Sequence, residues 1–264
     1  MRIICLVKYV PNAAGAQFDA KKDRINREKA RLILSPDDTN ALAWALKKKK
    51  ENPGTYVEVV SMGPIKIEND LKEVLRLGVD KAVLINDKSF VGSDSYATSL
   101  IISKYLESTE FDIILTGTHT LDGGTGHVGP QIAERLNINQ YSNIVEISEV
   151  NSNESIIKVN QDNKLINIGM KNPSILSVTS QMRERLGFVR YENIDKDVDN
   201  QFILVTNETL EVPSENIGRK GSPTKVRRKI LIKEKKVPQQ IVDISDEGID
   251  TVIHYLKEKG YYNV

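Results

Sequence analysis

Two periods of apolar residues alternate through the first half of the chain. Residues 2–7 (RIICLV) form an unbroken apolar, β-branched run, which predicts a strand buried on both faces. A loop is expected over 8–11, because Pro11 biases Val10 away from helix. From 36 to 50 the apolar positions Ala41, Leu42, Ala45 and Leu46 recur at helical spacing, with Ser35 or Asp37 placed to cap the start. The strand pattern returns at 56–61 and ends at Gly63-Pro64, and a second helix is expected at 67–77 with Gly78 at its exit. Strand 82–85, helix 93–106, strand 111–116 and helix 125–136 continue the series. Strands alternating with helices of this length predict an α/β fold, a doubly wound, mainly parallel, Rossmann-like sheet with right-handed crossovers.

The pattern then changes. Short apolar runs at 145–147, 156–159 and 165–170 are separated by Asn, Ser and Asp, and predict an antiparallel extension of the sheet that ends with a strand at 174–178. Periodicity fades after Gln181. Residues 189–199 read as a polar loop, and 213–238 as an extended basic arm. A last amphipathic helix is expected at 246–257, with Ile249, Val252, Ile253 and Leu256 on one face. The organisation expected is therefore a nucleotide-binding α/β domain over 1–205 and a C-terminal arm with its helix over 206–264.

Charge narrows the function classes. The 37 Lys and Arg nearly cancel the 36 Asp and Glu, so nothing pulls the whole molecule toward nucleic acid or an acidic membrane. The basic runs at 47–50 and 225–236 read first as solvated faces. A single cysteine, Cys5, rules out a disulfide within the chain and points to a reducing, cytoplasmic setting. With three histidines besides, a structural metal site is not expected. No apolar run approaches the roughly 20 residues that membrane insertion needs, and the first ten residues do not read as a signal peptide.

Chemistry is expected where the strands end. In an open parallel sheet, ligands bind outside the carboxyl ends of the strands, near the reversal of strand order. Four segments qualify: 7–11, 61–64, 86–94 and 117–129. The richest is TGTHTLDGGTGHVGPQ, 116–131, which runs off a strand through glycines onto a helix start. A helix N-terminus with its unpaired N–H groups favours a phosphate, and Gly123, Gly124 and Gly126 let backbone approach it. Thr125 either caps the helix or donates its hydroxyl to the phosphate, and a plain capped turn is the competing reading. The spacing matches neither a Walker motif nor GxGxxG, and no catalytic triad is present. His119 and His127 flank the turn and read as structural rather than catalytic.

Taken in order, four stretches resemble the electron-transferring flavoprotein beta-subunit family: MRIICLVKYVPN, LILSPDDTNALAWAL, VSMGP with LRLGVDKA, and LDGGTGHVGPQIAERLN. The resemblance covers about residues 1–240. It implies a heterodimer with an alpha subunit that carries FAD, and a second nucleotide in this chain. That nucleotide is AMP in one branch of the family. In the bifurcating branch it is FAD, which takes electrons from NADH and divides them between two paths. The 123–131 segment and GSPTKV, 221–226, resemble the bifurcating branch, so FAD is favoured and AMP is the alternative. Gly124, Gly126, His127 and Ser35 depart from the family's usual Asp, Ala, Gln and Asn.

Carried over residue by residue, the resemblance implies a cofactor site. Leu6, Val7 and Lys8 form the first wall, Ser35 and Asp38 lie on the adenosine or flavin side, and Met62 and Gly63 line the second turn. Asp122, Thr125, Gly126, His127, Val128 and Gly129 surround the pyrophosphate. A recognition loop at about 183–200 is implied to dock on a flavin-dependent dehydrogenase of acyl-CoA or lactate type, through Arg190, Tyr191 and an apolar anchor at Ile194. No residue is expected to be catalytic. A nucleotide-sensing protein or an adenylating enzyme of similar fold are the competing classes.

Overall fold

The computed structural model describes residues 1–12, 31–225 and 240–261, and the backbone of Phe18–Asp19 and Arg24–Ile25. Nine strands form the main sheet: β1 Arg2–Leu6, β2 Tyr56–Met62, β3 Lys81–Ile85, β4 Ile113–Gly117, β5 Asn139–Val150, β6 Glu154–Gln161, β7 Lys164–Lys171, β8 Ser174–Val178 and β9 Phe202–Val205. Their order is β7-β6-β5-β8-β4-β1-β2-β3-β9. The pairings from β5 through β9 are parallel, and β6 and β7 extend the sheet antiparallel.

Period-2 alternation explains how one sheet serves two layers. Ile3, Cys5, Val57, Val59 and Leu84 face one core, against helices α1 (Pro36–Glu51) and α2 (Glu68–Arg76). Ile4, Leu6, Val60, Val83 and Ile114 face the other, against α3 (Ser95–Leu106) and α4 (Val128–Leu136). Buried strands flanked by helices on both faces are a doubly wound fold, as the sequence pattern predicts.

Three local expectations change. Residues 9–11 form a short strand, Tyr9–Pro11, that pairs antiparallel with Leu32–Leu34. Strand β9 was not visible in the sequence pattern, and it closes the parallel edge by pairing Phe202 with Ala82 and Val205 with Ile85. The boundary expected at 205 moves to 226, because Leu210, Val212 and Ile217 are buried in the second core. The second unit runs from Arg227 to Val264 and contains the helix Asp246–Glu258, N-capped by Ser245. Half of the expected basic arm, 226–238, lies outside the described residues.

Candidate nucleotide site

Strand order reverses at the border of β1 and β4. From β1 the chain builds outward through β2, β3 and β9, and on the other side through β4 and β8. A cavity of about 590 Å³ opens over the carboxyl ends of these strands. That volume falls within the roughly 300–1,000 Å³ of ligand and cofactor sites.

Leu6, Val7 and Lys8 continue β1 into one wall, and Val60 and Met62 supply another. Thr116–Thr118 and the loop after β4 supply the third, with Thr125, Gly126, His127, Val128 and Gly129 all on the lining. The loop after β3 gives Phe90, Gly92 and Ser93, and α3 gives Ser95, Thr98 and Ile102. Ten of the cofactor positions implied by the family resemblance therefore converge on one cavity. Asp122, Gly63 and Ser35 stand outside its lining. Asp122 instead pairs with the Lys8 ammonium at 2.8 Å and ties the glycine loop to β1. Burial disfavours ionisation of Asp122, but the Lys8 contacts together with bonds from the Thr120 hydroxyl and the Gly123 N–H outweigh it and hold the carboxyl below its ordinary range. Gly63 donates its N–H to the Ile85 carbonyl and accepts from the Asn86 amide, which fixes the β2 exit. Ser35 is buried, and its hydroxyl makes no capping bond to α1.

Two helix N-termini face this cavity, and they differ. α3 is capped by its own Asp94, whose Oδ1 accepts from the Ala97 N–H. Asp94 Oδ2 also accepts from the N–H and hydroxyl of Thr224, at 2.8 and 2.6 Å. The positive end of α3 is thus already matched with a carboxylate. α4 has no side-chain cap: His127 occupies the N-cap position and makes no such bond. The first-turn N–H groups of α4 lack intrahelical acceptors and present the positive end of the helix dipole. Because α4 begins at Val128, Thr125 precedes the N-cap and is not the capping residue; its place is on the cavity wall.

The glycines fit a phosphate cradle. Gly126 has φ +64°, and a Cβ there would meet the Thr118 carbonyl at 3.2 Å. Gly129 seats α4 on the sheet, since its Cβ would lie 3.0 Å from Ser177 Oγ and 3.2 Å from Thr116 Cγ2. The uncapped helix end, the open backbone and the Thr125 hydroxyl form a donor set suited to an anionic group. The apolar wall of Val60, Met62, Phe90 and Ile102 suits a flat ring system.

Phe90, Ser93, Thr98 and Thr224 were not singled out individually from sequence. The segments that contain Phe90, Ser93 and Thr224 were, as a strand end and as GSPTKV; Thr98 carried no signal beyond its helix. Ser222 explains how GSPTKV reaches the site: its Oγ accepts from the Asp94 N–H and donates to the Gly218 carbonyl, latching 218–224 onto the start of α3.

The implied recognition residues lie elsewhere. Glu184 pairs with Lys47, and Asn193 and Lys196 bond to Arg76, so the loop is tied down on both sides. Between these ties Phe188 is 97% exposed, Tyr191 93% and Ile194 50%, with Arg190 also exposed. Among the described residues no cluster suits a metal ion, and no helix is long and apolar enough to cross a membrane.

Comparison with known proteins gives consistent likenesses. The Electron transfer flavoprotein domain family matches residues 24–168. The chain is 35% identical to Electron transfer flavoprotein subunit beta of Clostridium acetobutylicum, over 99% of this chain and 100% of that one. It is 32% identical to Caffeyl-CoA reductase-Etf complex subunit CarD of Acetobacterium woodii, over 98% and 99%. It is 31% identical to Protein FixA of Azotobacter vinelandii, over 93% and 89%.

Proposed function

Because this chain belongs to the electron transfer flavoprotein family, as a beta subunit, we propose that its cavity holds FAD and that its heterodimer bifurcates electrons from NADH. The observation that carries the reading is the uncapped N-terminus of α4 at the point where strand order reverses. There the backbone N–H groups of Val128 and Gly129 and the hydroxyl of Thr125 would hold the pyrophosphate. Lys8, at the end of β1, lines the same wall with its ammonium paired to Asp122. Asp94 already matches the α3 end, so the diphosphate is directed to α4 and the ring system toward Val60, Met62, Phe90 and Ile102.

Bound FAD would supply acceptance of a two-electron hydride from NADH and onward transfer of single electrons. The chain's own residues bind, orient and shield; none is needed as a nucleophile. The likeness to a subunit of a caffeyl-CoA reductase complex favours a dehydrogenase of acyl-CoA type as partner. The exposed loop carrying Arg190, Tyr191 and Ile194 is the proposed contact with that enzyme, and an alpha subunit completes the heterodimer. A cytoplasmic setting agrees with the lone buried Cys5.

The test is a cofactor count. Denaturing the purified heterodimer should release two FAD, and NADH should bleach the native complex. One FAD and one AMP would reject bifurcation and leave a simpler electron carrier.

A further inference from the structure

We infer that Asp37 and Asp38 act together as positioning residues of this site, their four carboxyl oxygens holding the exits of β1, β4 and β8 so that the α4 N-terminus faces the cavity. The inference rests on the nucleotide reading above and deepens it.

Two acids in the first turn of a helix are ordinarily explained by the helix dipole. That explanation is satisfied by carboxyl groups anywhere near the turn, including in solvent. These two are not placed that way. Asp38 is 3% exposed. Its Oδ2 accepts the Lys8 N–H at 2.8 Å, just past β1, and its Oδ1 accepts the Gly117 N–H at 2.8 Å, at the end of β4. Asp37 reaches further along the same edge. Its Oδ2 accepts the His119 N–H at 3.1 Å, and its Oδ1 accepts the Ser180 N–H at 2.7 Å, just past β8. Every carboxyl oxygen of the pair thus takes a backbone donor from outside α1.

The spacing between α1 and β4 is set for this. A Cβ at Gly117 would lie 2.5 Å from Asp38 Oδ1 and 2.7 Å from Asp37 Cβ. Gly117 is therefore the residue that lets the first turn of α1 touch the strand exit. His119 transmits the placement onward, because its ring packs against Gly126, with Nε2 3.3 Å from where a Cβ there would lie. Gly126 in turn sets the approach to α4. The order of dependence is Asp37, His119, Gly126, α4. The same bonds occupy the N–H groups of Lys8 and Gly117 on the cavity lining, while α4 keeps an N-terminus with no side-chain cap.

The experiment uses the heterodimer stripped of released cofactors and titrated with AMP and, separately, with FAD. Asp37→Asn keeps one acceptor oxygen and sets an amide N–H against a backbone donor. It should weaken both ligands about ten-fold or more. Hydrogen exchange should quicken at His119 and Ser180, while Ile113–Leu115 in β4 stay protected. Asp37→Glu, with both oxygens retained, should recover part of the affinity. Unchanged affinity with faster exchange at His119 and Ser180 would overturn the inference, as would a uniform loss of protection throughout the sheet. Should Asp37→Asn fail to assemble, Asp37→Glu alone decides: reduced affinity with quickened exchange at His119 and Ser180 supports the inference, and native affinity, whatever the exchange, overturns it. Failure of the unaltered heterodimer to bind either ligand sinks the nucleotide reading itself, a separate result.

Discussion

At the scale of single residues, the site is governed by where charge is buried. Burial raises the Asp38 carboxyl from 3.8 to about 7, against the lowering effect of the Lys8 and Gly117 N–H groups, with Asp37 adding to the rise and the Lys8 charge opposing it. Between those values the folded chain holds a proton that the unfolded chain releases. The stability from this group is therefore fully present below pH 3.8 and is lost as pH rises through about 7. The difference in unfolding free energy between the native chain and Asp38→Asn should slope downward with pH in that window, by up to about 1.4 kcal/mol per pH unit. Urea titrations at half-unit intervals measure it, and parallel curves would refute the assignment. Thr125 makes a second case. Thr125→Val removes one hydroxyl donor from the cavity wall and should weaken nucleotide binding by ~1–2 kcal/mol, read by calorimetric titration. Unchanged affinity would remove Thr125 from the phosphate. Gly126→Ala forces a side chain into φ +64°. It should cost roughly 1–2 kcal/mol of folding stability and weaken the nucleotide, since the added Cβ also crowds Thr118.

At the scale of elements, what was legible depended on whether a segment's residues answer to local periodicity or to distant partners. The strands and helices expected in the first 136 residues carry their own apolar pattern, and each appears within a few residues of its place, whereas the short pair Tyr9–Pro11 and Leu32–Leu34 was not expected. Strand β9 was missed because Phe202–Val205 is only four residues long, and Ile203 and Leu204 are exposed on the open edge. Its identity comes from pairing with β3, 120 residues earlier in sequence (202 against 82), which no local window contains. The segment 218–224 was legible only by resemblance, through GSPTKV; its place beside the cavity was not, because its bonds run to Ser93 and Asp94. The glycine turn was legible because helix-start chemistry is local. The loop at 183–200 was legible as polar, but its exposed aromatics were not foreseen as a group. Phe188 and Tyr191 stand between fixed ends, so an apolar contact there needs little ordering on binding. Ile194→Ala should slow electron transfer to the partner dehydrogenase several-fold, while NADH oxidation with an artificial acceptor is unchanged. Loss of both activities would indicate misfolding rather than a lost contact.

At the scale of the whole molecule, the two units pose different physical problems. The first, Met1–Val226, buries its apolar residues in two cores on either side of one sheet. The second, Arg227–Val264, does the reverse among its described residues. Ile241 and Ile244 are almost fully exposed, and on the helix Asp246–Glu258 so are large parts of Ile249, Val252, Ile253 and Tyr255. Single exposed apolar side chains are ordinary, but a run of them on one short segment marks a surface that another protein covers. Helix propensity does not supply the missing stability, because an isolated helix of 13 residues is marginal in water. Beta subunits of this family pair with alpha subunits, and we propose the alpha subunit as the partner that covers it. The chain produced alone should therefore self-associate, and co-expression with its alpha subunit should yield a monodisperse heterodimer. Light scattering on a sizing column measures both. Ile249→Asp with Ile253→Asp should reduce self-association of the isolated chain and at the same time weaken assembly with the alpha subunit. A stable, monodisperse monomer of the unaltered chain would show that these side chains need no cover. Variants that stay monomeric yet bind the alpha subunit normally would place the heterodimer contact on the first unit instead.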